Sequence, residues 1–119
     1  MKRVLIVDDS SFMRRLIKNI ITKNGYEVVG EAANGVEGVA KYTELKPDIV
    51  TMDVIMDEMN GLDALKRILE NDPNATVVMV SSMGQDIIVK DAIRIGAKGY
   101  ILKPYEERLI VETLNGLGD

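Results

Sequence analysis

The 119-residue sequence contains no cysteine and no histidine. The first absence excludes disulfides and thiolate metal sites. The second excludes an imidazole base, an imidazole ligand and a phosphohistidine. Aromatic residues are scarce at 4% of the chain, so aliphatic side chains and seven methionines must fill whatever core the 46% of hydrophobic residues build. Basic character is lacking as well: a formal net charge of −4 argues against nucleic acid as a partner. No apolar run approaches the roughly 20 residues of a membrane span, and no signal segment precedes the first apolar run. The expectation is a soluble, cytoplasmic protein. Length, the lack of a linker and the lack of low-complexity sequence make it one domain covering residues 1–119.

What is present is a regular alternation. Val4-Leu5-Ile6-Val7 is a continuous apolar run of the kind found in central strands covered on both faces. Ser10-Ser11 offers a cap, and Met13, Leu16, Ile17, Ile20 and Ile21 recur at helical spacing, with Arg14, Arg15 and Lys18 on the opposite face. Asn24-Gly25 ends that helix. A second strand is predicted over Tyr26 to Gly30. The helix after it is expected to turn Val36, Val39, Ala40 and Thr43 inward and to be terminated by Pro47. A third strand runs from Pro47 to Asp53, and a helix from Gly61 to Glu70 buries Leu62, Leu65, Ile68 and Leu69. A fourth strand over Thr76 to Val80 ends on Ser81-Ser82, followed by a helix marked by Ile87, Ile88, Ala92 and Ile95. Tyr100-Ile101-Leu102 makes a fifth strand ending on Lys103-Pro104. Leu109, Ile110, Thr113, Leu114 and Leu117 make a fifth helix. Repeated strand–helix alternation implies an α/β fold with a parallel five-stranded sheet, right-handed crossovers and helices on both faces.

In such a sheet the C-terminal ends of all strands lie on one edge, where ligands bind. The residues arriving there are Asp8-Asp9, Asp53, Ser81 and Lys103. Taken singly, each is an ordinary cap, turn or solvated strand end. Taken together they are several carboxylates, a hydroxyl and an ammonium. Clustered carboxylates repel one another unless a cation joins them or their pKa values rise. A hard, all-oxygen donor set suits Mg²⁺, which draws phosphoryl oxygens in turn. Asp53 is then a carboxylate nucleophile able to form an aspartyl phosphate.

These motifs, with Met59-Asn60-Gly61 after the third strand, resemble the receiver domain of two-component response regulators over essentially the whole chain. The resemblance implies a doubly wound, flavodoxin-like (βα)5 fold with strand order 2-1-3-4-5, an order the general rules for such folds also give. It implies that Asp53 takes phosphate from a histidine kinase. Asp9, Asp53 and the backbone carbonyl of Ile55 would hold Mg²⁺, with Asp8 acting mainly through water, and Ser81 and Lys103 would contact the phosphoryl group. Within the family the chain is similar to the stand-alone chemotaxis regulators. The similarity rests on its being a receiver alone, on Ser10-Ser11-Phe12-Met13-Arg14-Arg15 after the acid pair, and on Tyr100 at an aromatic switch position. That implies a monomer which meets a chemotaxis histidine kinase and, through its fourth helix, fifth strand and fifth helix, a motor switch protein or an archaeal adaptor. A phosphatase is a further partner.

Other classes stay in view. A shuttle or phosphate sink in another phosphorelay fits the same residues. An aspartyl-phosphate enzyme usually needs an acid two residues beyond the nucleophile, where Ile55 stands, and a flavin electron carrier would have its cofactor phosphate repelled by Asp8-Asp9. The chain departs from the family pattern at Asp57, where proline is usual, and at Ile55 and Met83, where polar residues are frequent. Ile55 and Met83 cannot orient an attacking water by hydrogen bonding. An aspartyl phosphate on this chain is therefore expected to be long-lived. Ile55→Asn combined with Met83→Glu should accelerate its decay by up to roughly 100-fold if each contact is worth about tenfold. The check is decay of labelled protein after donor removal; unchanged or slower decay counts against the apolar pair.

Overall fold

The protein, a computed structural model, is described over residues 1–56, 58–82, 86–103 and 106–117. Strands β1 (Arg3–Val7), β2 (Glu27–Ala32), β3 (Ile49–Asp53), β4 (Val77–Ser81) and β5 (Gly99–Leu102) alternate with helices α1 (Ser11–Lys23), α2 (Gly35–Leu45), α3 (Gly61–Asn71), α4 (Asp86–Ile95) and α5 (Glu107–Asn115). The strands form one parallel sheet in the order β2-β1-β3-β4-β5, as expected. Asp57, Met83 and Pro104 lie outside the described residues.

Continuous apolar runs in β1, β3 and β4 produce two cores rather than one, because successive side chains leave opposite faces of the sheet. Leu5, Val7, Val50, Met52, Val77 and Met79 pack on the face that carries α2, α3 and α4. Val4, Ile6, Ile49, Val78, Val80 and Ile101 pack against α1 and α5 on the other. The helices start where local hydrogen bonding lets them. Ser10 Oγ accepts the Met13 N–H at 3.2 Å, and Asn34 Oδ1 and Asn60 Oδ1 accept those of Glu37 and Asp63 at 2.9 Å each. Each bond satisfies a donor that the first turn would leave open.

Three helix faces differ from the sequence expectation. On α2 the inward residues are Gly35, Gly38 and Tyr42, with Val39 half-buried, whereas Val36, Ala40 and Thr43 are exposed. A hydrophobic scale overlooks glycine, yet glycine is what lets this helix approach the sheet: a Cβ on Gly38 would lie 3.0 Å from a Val7 methyl. Tyr42 then reaches across to α3, its hydroxyl donating to Asp72 Oδ2 at 2.7 Å. Burial and the Asp72 carboxylate both push the phenol's pKa up. On α4 and α5, Ile87 and Leu109 were expected inward and are 68% and 45% exposed. Each sits one residue, about 100° around the helix, ahead of its buried stripe: Ile88-Ala92-Ile95 and Ile110-Leu114. The strand boundaries shift by one or two residues in all five strands, β3 beginning at Ile49 rather than Pro47, with an irregularity in the β1–β2 register between Val4 and Leu5.

α2 stops before Pro47. Lys46 takes the left-handed conformation at φ 46°, and its N–H donates to the Tyr42 carbonyl. A side chain in that region costs about 1 kcal/mol relative to glycine. Lys46→Gly should accordingly raise unfolding free energy by about 0.5–1 kcal/mol, less what glycine returns to the unfolded chain. A urea titration should show a higher midpoint with an unchanged slope. A lower midpoint would mean that the lysine side chain contributes more than its backbone strain costs.

Candidate functional site

β1 and β3 are neighbours, so the residues that end them are neighbours too. Asp8 follows β1, with its N–H on the Ala32 carbonyl at 3.0 Å, and Asp53 closes β3. Both carboxylates are buried, at 2% and 6% exposure, while Asp9 is exposed. One carboxylate oxygen from each of Asp8, Asp9 and Asp53 falls within a 4.8 Å group. Lys103, just past β5, reaches over the edge from the other side. Its Nζ lies 3.0 Å from Asp8 Oδ2 and 3.6 Å from Asp53 Oδ2. Ser81 closes β4 and is buried. Its side chain shares a hydrogen bond with the hydroxyl of half-buried Tyr100. The five candidate residues from strand ends are thus gathered at one edge, and Tyr100 joins them through Ser81.

The third-strand loop is held in place by glycines. The Gly61 N–H donates to the Val54 carbonyl at 2.7 Å, and a Cβ at Gly61 would stand 2.0 Å from the Asp53 carbonyl oxygen. A Cβ at Gly35 would meet the Met59 carbonyl at 2.3 Å. No side chain fits at either place without displacing the backbone that carries Asp53 and Ile55. The Ile55 side chain is 57% exposed beside the pocket.

Electrostatics in the pocket are unbalanced. Burial, then the negative charge of Asp8, raises the Asp53 pKa to about 6; Lys103 opposes the rise without cancelling it, and Asp9 adds to it. Tyr100 is also held above the ordinary phenol value by burial. The donor set fits a small hard dication: three clustered carboxylates, all oxygen donors, with no His or Cys in the sequence. Asp8, Asp9 and Asp53 each offer a carboxylate oxygen that could hold it. Asp8 is more deeply engaged by protein than the sequence suggested, since Oδ1 accepts the Ser10 N–H at 2.9 Å while Oδ2 meets Lys103.

One contact went unforeseen. Arg14 was expected on the solvated face of α1. Instead its Nη1 donates to the Asp8 carbonyl at 2.6 Å and its Nε to Glu31 Oε1 at 3.0 Å. The only sequence signal was an arginine one turn into the helix that follows an acid pair.

Because the folded protein holds the Asp53 proton more tightly than the unfolded chain, Asp53's contribution to stability is fully present below about pH 4 and is lost as pH rises through about 6. In chelator, Asp53→Asn should therefore be more stable than the parent above pH 7. The gap is at most about 3 kcal/mol and should close as pH falls towards 4. Urea unfolding of both proteins across this range provides the check. A gap that does not change with pH would contradict the raised pKa.

Residues 4–115 match the model of the response regulator receiver domain. Chemotaxis protein CheY of Thermotoga maritima is 60% identical over 114 residues, covering 96% of this chain and 95% of that protein. Chemotaxis protein CheY of Halobacterium salinarum is 41% identical over 114 residues, covering 96% and 94%. Among solved structures, a chain of the CheX–CheY–BeF3–Mg complex from Borrelia burgdorferi superposes with a TM-score of 0.96 at 38% identity, covering 98% of this chain and 88% of that one.

Proposed function

The chain belongs to the response regulator receiver domain family, and from that premise we propose how this chemotaxis response regulator operates: Asp53 accepts a phosphoryl group, and Ser81, Lys103 and Tyr100 turn the modification into a change of surface. The observation that carries the reading is the placing of Asp53, buried and raised to a pKa of about 6, beside Asp8, Asp9 and the Lys103 ammonium. At neutral pH Asp53 is still mostly ionised, so one of its oxygens is available as the nucleophile. It attacks the phosphorus of a phosphohistidine on a CheA-like kinase. The O–P bond forms as the P–N bond breaks, and the electron pair leaves with the imidazole. Mg²⁺ held by Asp9, Asp53 and the Ile55 carbonyl would supply charge neutralisation for the phosphoryl oxygens.

Lys103 holds its charge where those oxygens arrive. Before transfer its ammonium is shared between Asp8 and Asp53. After transfer Asp53 is an acyl phosphate, a mixed anhydride whose negative charge lies on the phosphoryl oxygens, and the ammonium gains those oxygens instead. The Ser81 hydroxyl, now engaged with Tyr100, has the same choice. Interactions gained in only one state are what shift a population. The responding surface is α4, β5 and α5, where Ile87, Leu102 and Leu109 are exposed apolar residues. The downstream partner is a motor switch protein: 60% identity to a bacterial chemotaxis protein against 41% to an archaeal one favours it over an archaeal adaptor. Slow self-loss of phosphate, expected from Ile55 and Met83, leaves termination to a separate phosphatase.

Acetyl phosphate with Mg²⁺ should add a single phosphoryl group to the intact protein, seen by mass. Asp53→Asn and chelation should each abolish it. Lys103→Ala should retain some labelling while reducing the amide NMR shifts on α4, β5 and α5. Full labelling of Asp53→Asn would remove the acceptor assignment. Undiminished shifts in Lys103→Ala would remove the coupling.

A further inference from the structure

Arg14 sits outside the constellation of strand-end residues yet touches the backbone of one of its buried members, Asp8. Its side chain is 18% exposed, and its guanidinium bridges two acceptors: Nη1 on the Asp8 carbonyl at 2.6 Å and Nε on Glu31 at 3.0 Å. Glu31 lies on β2, the edge strand, and Lys18 stands 3.7 Å from its other carboxylate oxygen. Lys41 Nζ donates to the Glu31 carbonyl at 2.6 Å, so the backbone beneath that carboxylate is tethered as well. A charged donor on a partly buried carbonyl at the end of β1 needs a reason. The β1–β2 ladder has run out: the Asp8 N–H still reaches Ala32, but the last paired residues are Val7 and Ala32.

The Asp8 carbonyl belongs to the peptide that joins Asp8 to Asp9. That unit is planar, so fixing its oxygen fixes the orientation of the Asp9 N–H and restricts where Asp9 can aim its carboxylate. Asp9 is the exposed member of the acid group and has no side-chain hydrogen bond among the described residues. The Asp8 side chain, in contrast, is held at both oxygens. A planar guanidinium with several donors at set angles can be clamped by one acceptor and aim at another.

We propose that Arg14, oriented by Glu31, is a positioning residue for the divalent-cation site, acting through the Asp8 carbonyl on the peptide plane that carries Asp9. This rests on the reading of Asp8, Asp9 and Asp53 as that site. Long-range charge predicts the opposite of what positioning predicts, which makes the two separable. Removing a cation near a cation site tightens Mg²⁺ binding by electrostatics alone. Losing an outer contact that orients a ligand weakens binding, typically 10–100-fold.

The test is Mg²⁺ affinity by calorimetry on the unphosphorylated full chain, beside thermal unfolding with and without Mg²⁺. Arg14→Met should raise the dissociation constant about tenfold. Arg14→Lys keeps the charge but loses the fork, and should raise it by a smaller factor. Glu31→Gln should weaken binding in the same direction, and the Arg14→Met/Glu31→Gln pair should be no weaker than Arg14→Met alone, because both act through one contact. Lys18→Met, which removes only the outer cation, should leave the affinity unchanged. A merely structural role for Arg14 would lower the melting temperature equally with and without Mg²⁺ and leave the affinity of the folded protein as it was. An affinity for Arg14→Met within twofold of the parent, or tighter, overturns the proposal. Where Arg14→Met does not fold, unchanged affinity in both Arg14→Lys and Glu31→Gln does so. Asp9→Asn separates the two readings: if it binds Mg²⁺ as well as the parent, the cation site itself is misplaced.

Discussion

Three carboxylates gather at the end of this sheet, and the Lys103 ammonium meets two of them, Asp8 and Asp53, which leaves the group net negative. Lys103 lies closest to Asp8, and Asp53 is left with the greater share of the deficit. Burial first, and then the Asp8 charge, raises its pKa to about 6, and Lys103 offsets only part of the rise. A buried carboxylate with neither full neutralisation nor a proton is costly. Cation binding relieves that cost directly. In the proposed mechanism, phosphoryl transfer replaces the single carboxylate charge with a group of about −2, so it raises the demand for Mg²⁺ and for the Lys103 ammonium.

Everything else in the fold can be read as the means of holding that arrangement together. β1 and β3 are adjacent at the centre of the sheet, each flanked by strands and covered on both faces. That gives Asp8 and Asp53 backbones that cannot drift apart. Gly61 permits α3 to begin against the Asp53 carbonyl, and Gly35 permits α2 to begin against Met59. Glu58 adopts a left-handed φ of 66° within the same loop, a conformation that costs a non-glycine residue about 1 kcal/mol. Backbone strain of that sort persists where the surroundings over-determine it. Here the surroundings are two helix starts seated on one loop.

The sequence showed most of this fold because it is written in long-period signals. Short apolar runs of two to four residues located the strands, and therefore the edge where Asp8, Asp53, Ser81 and Lys103 meet. It was least informative where a contact depends on absent atoms or on a long flexible arm. The inner face of α2 is built of Gly35, Gly38 and Tyr42, and glycines carry no hydrophobic signal although they decide how near the helix comes to Val7. Ile87 and Leu109 misled for the opposite reason, since an apolar residue beside a buried stripe looks like part of it. Arg14 was unreadable because an arginine's reach exceeds one helical turn. Its position on the polar face of α1 says nothing about whether it spans to β2.

In the proposed mechanism the link between the pocket and the outer face runs through the side chains of Ser81 and Tyr100. The Lys103 N–H donates to the Ser81 carbonyl at 2.8 Å, so the ends of β4 and β5 are joined by backbone. The Ser81–Tyr100 hydrogen bond crosses the same strand pair, and Tyr100 is half-buried against the core beneath α4. In that mechanism, a Ser81 hydroxyl that turns to a phosphoryl oxygen changes what the Tyr100 hydroxyl meets. Hydrogen bonds to a charged group are worth about 1.5–3 kcal/mol each. Lys103 exchanges one set of charged partners for another, so the gain comes mainly from Ser81, whose neutral bond gives way to a charged one for about 1–1.5 kcal/mol. Such a difference moves a population by about 5–12-fold. That is enough to change which surface a partner meets, and small enough that loss of the phosphoryl group returns the protein to its starting state.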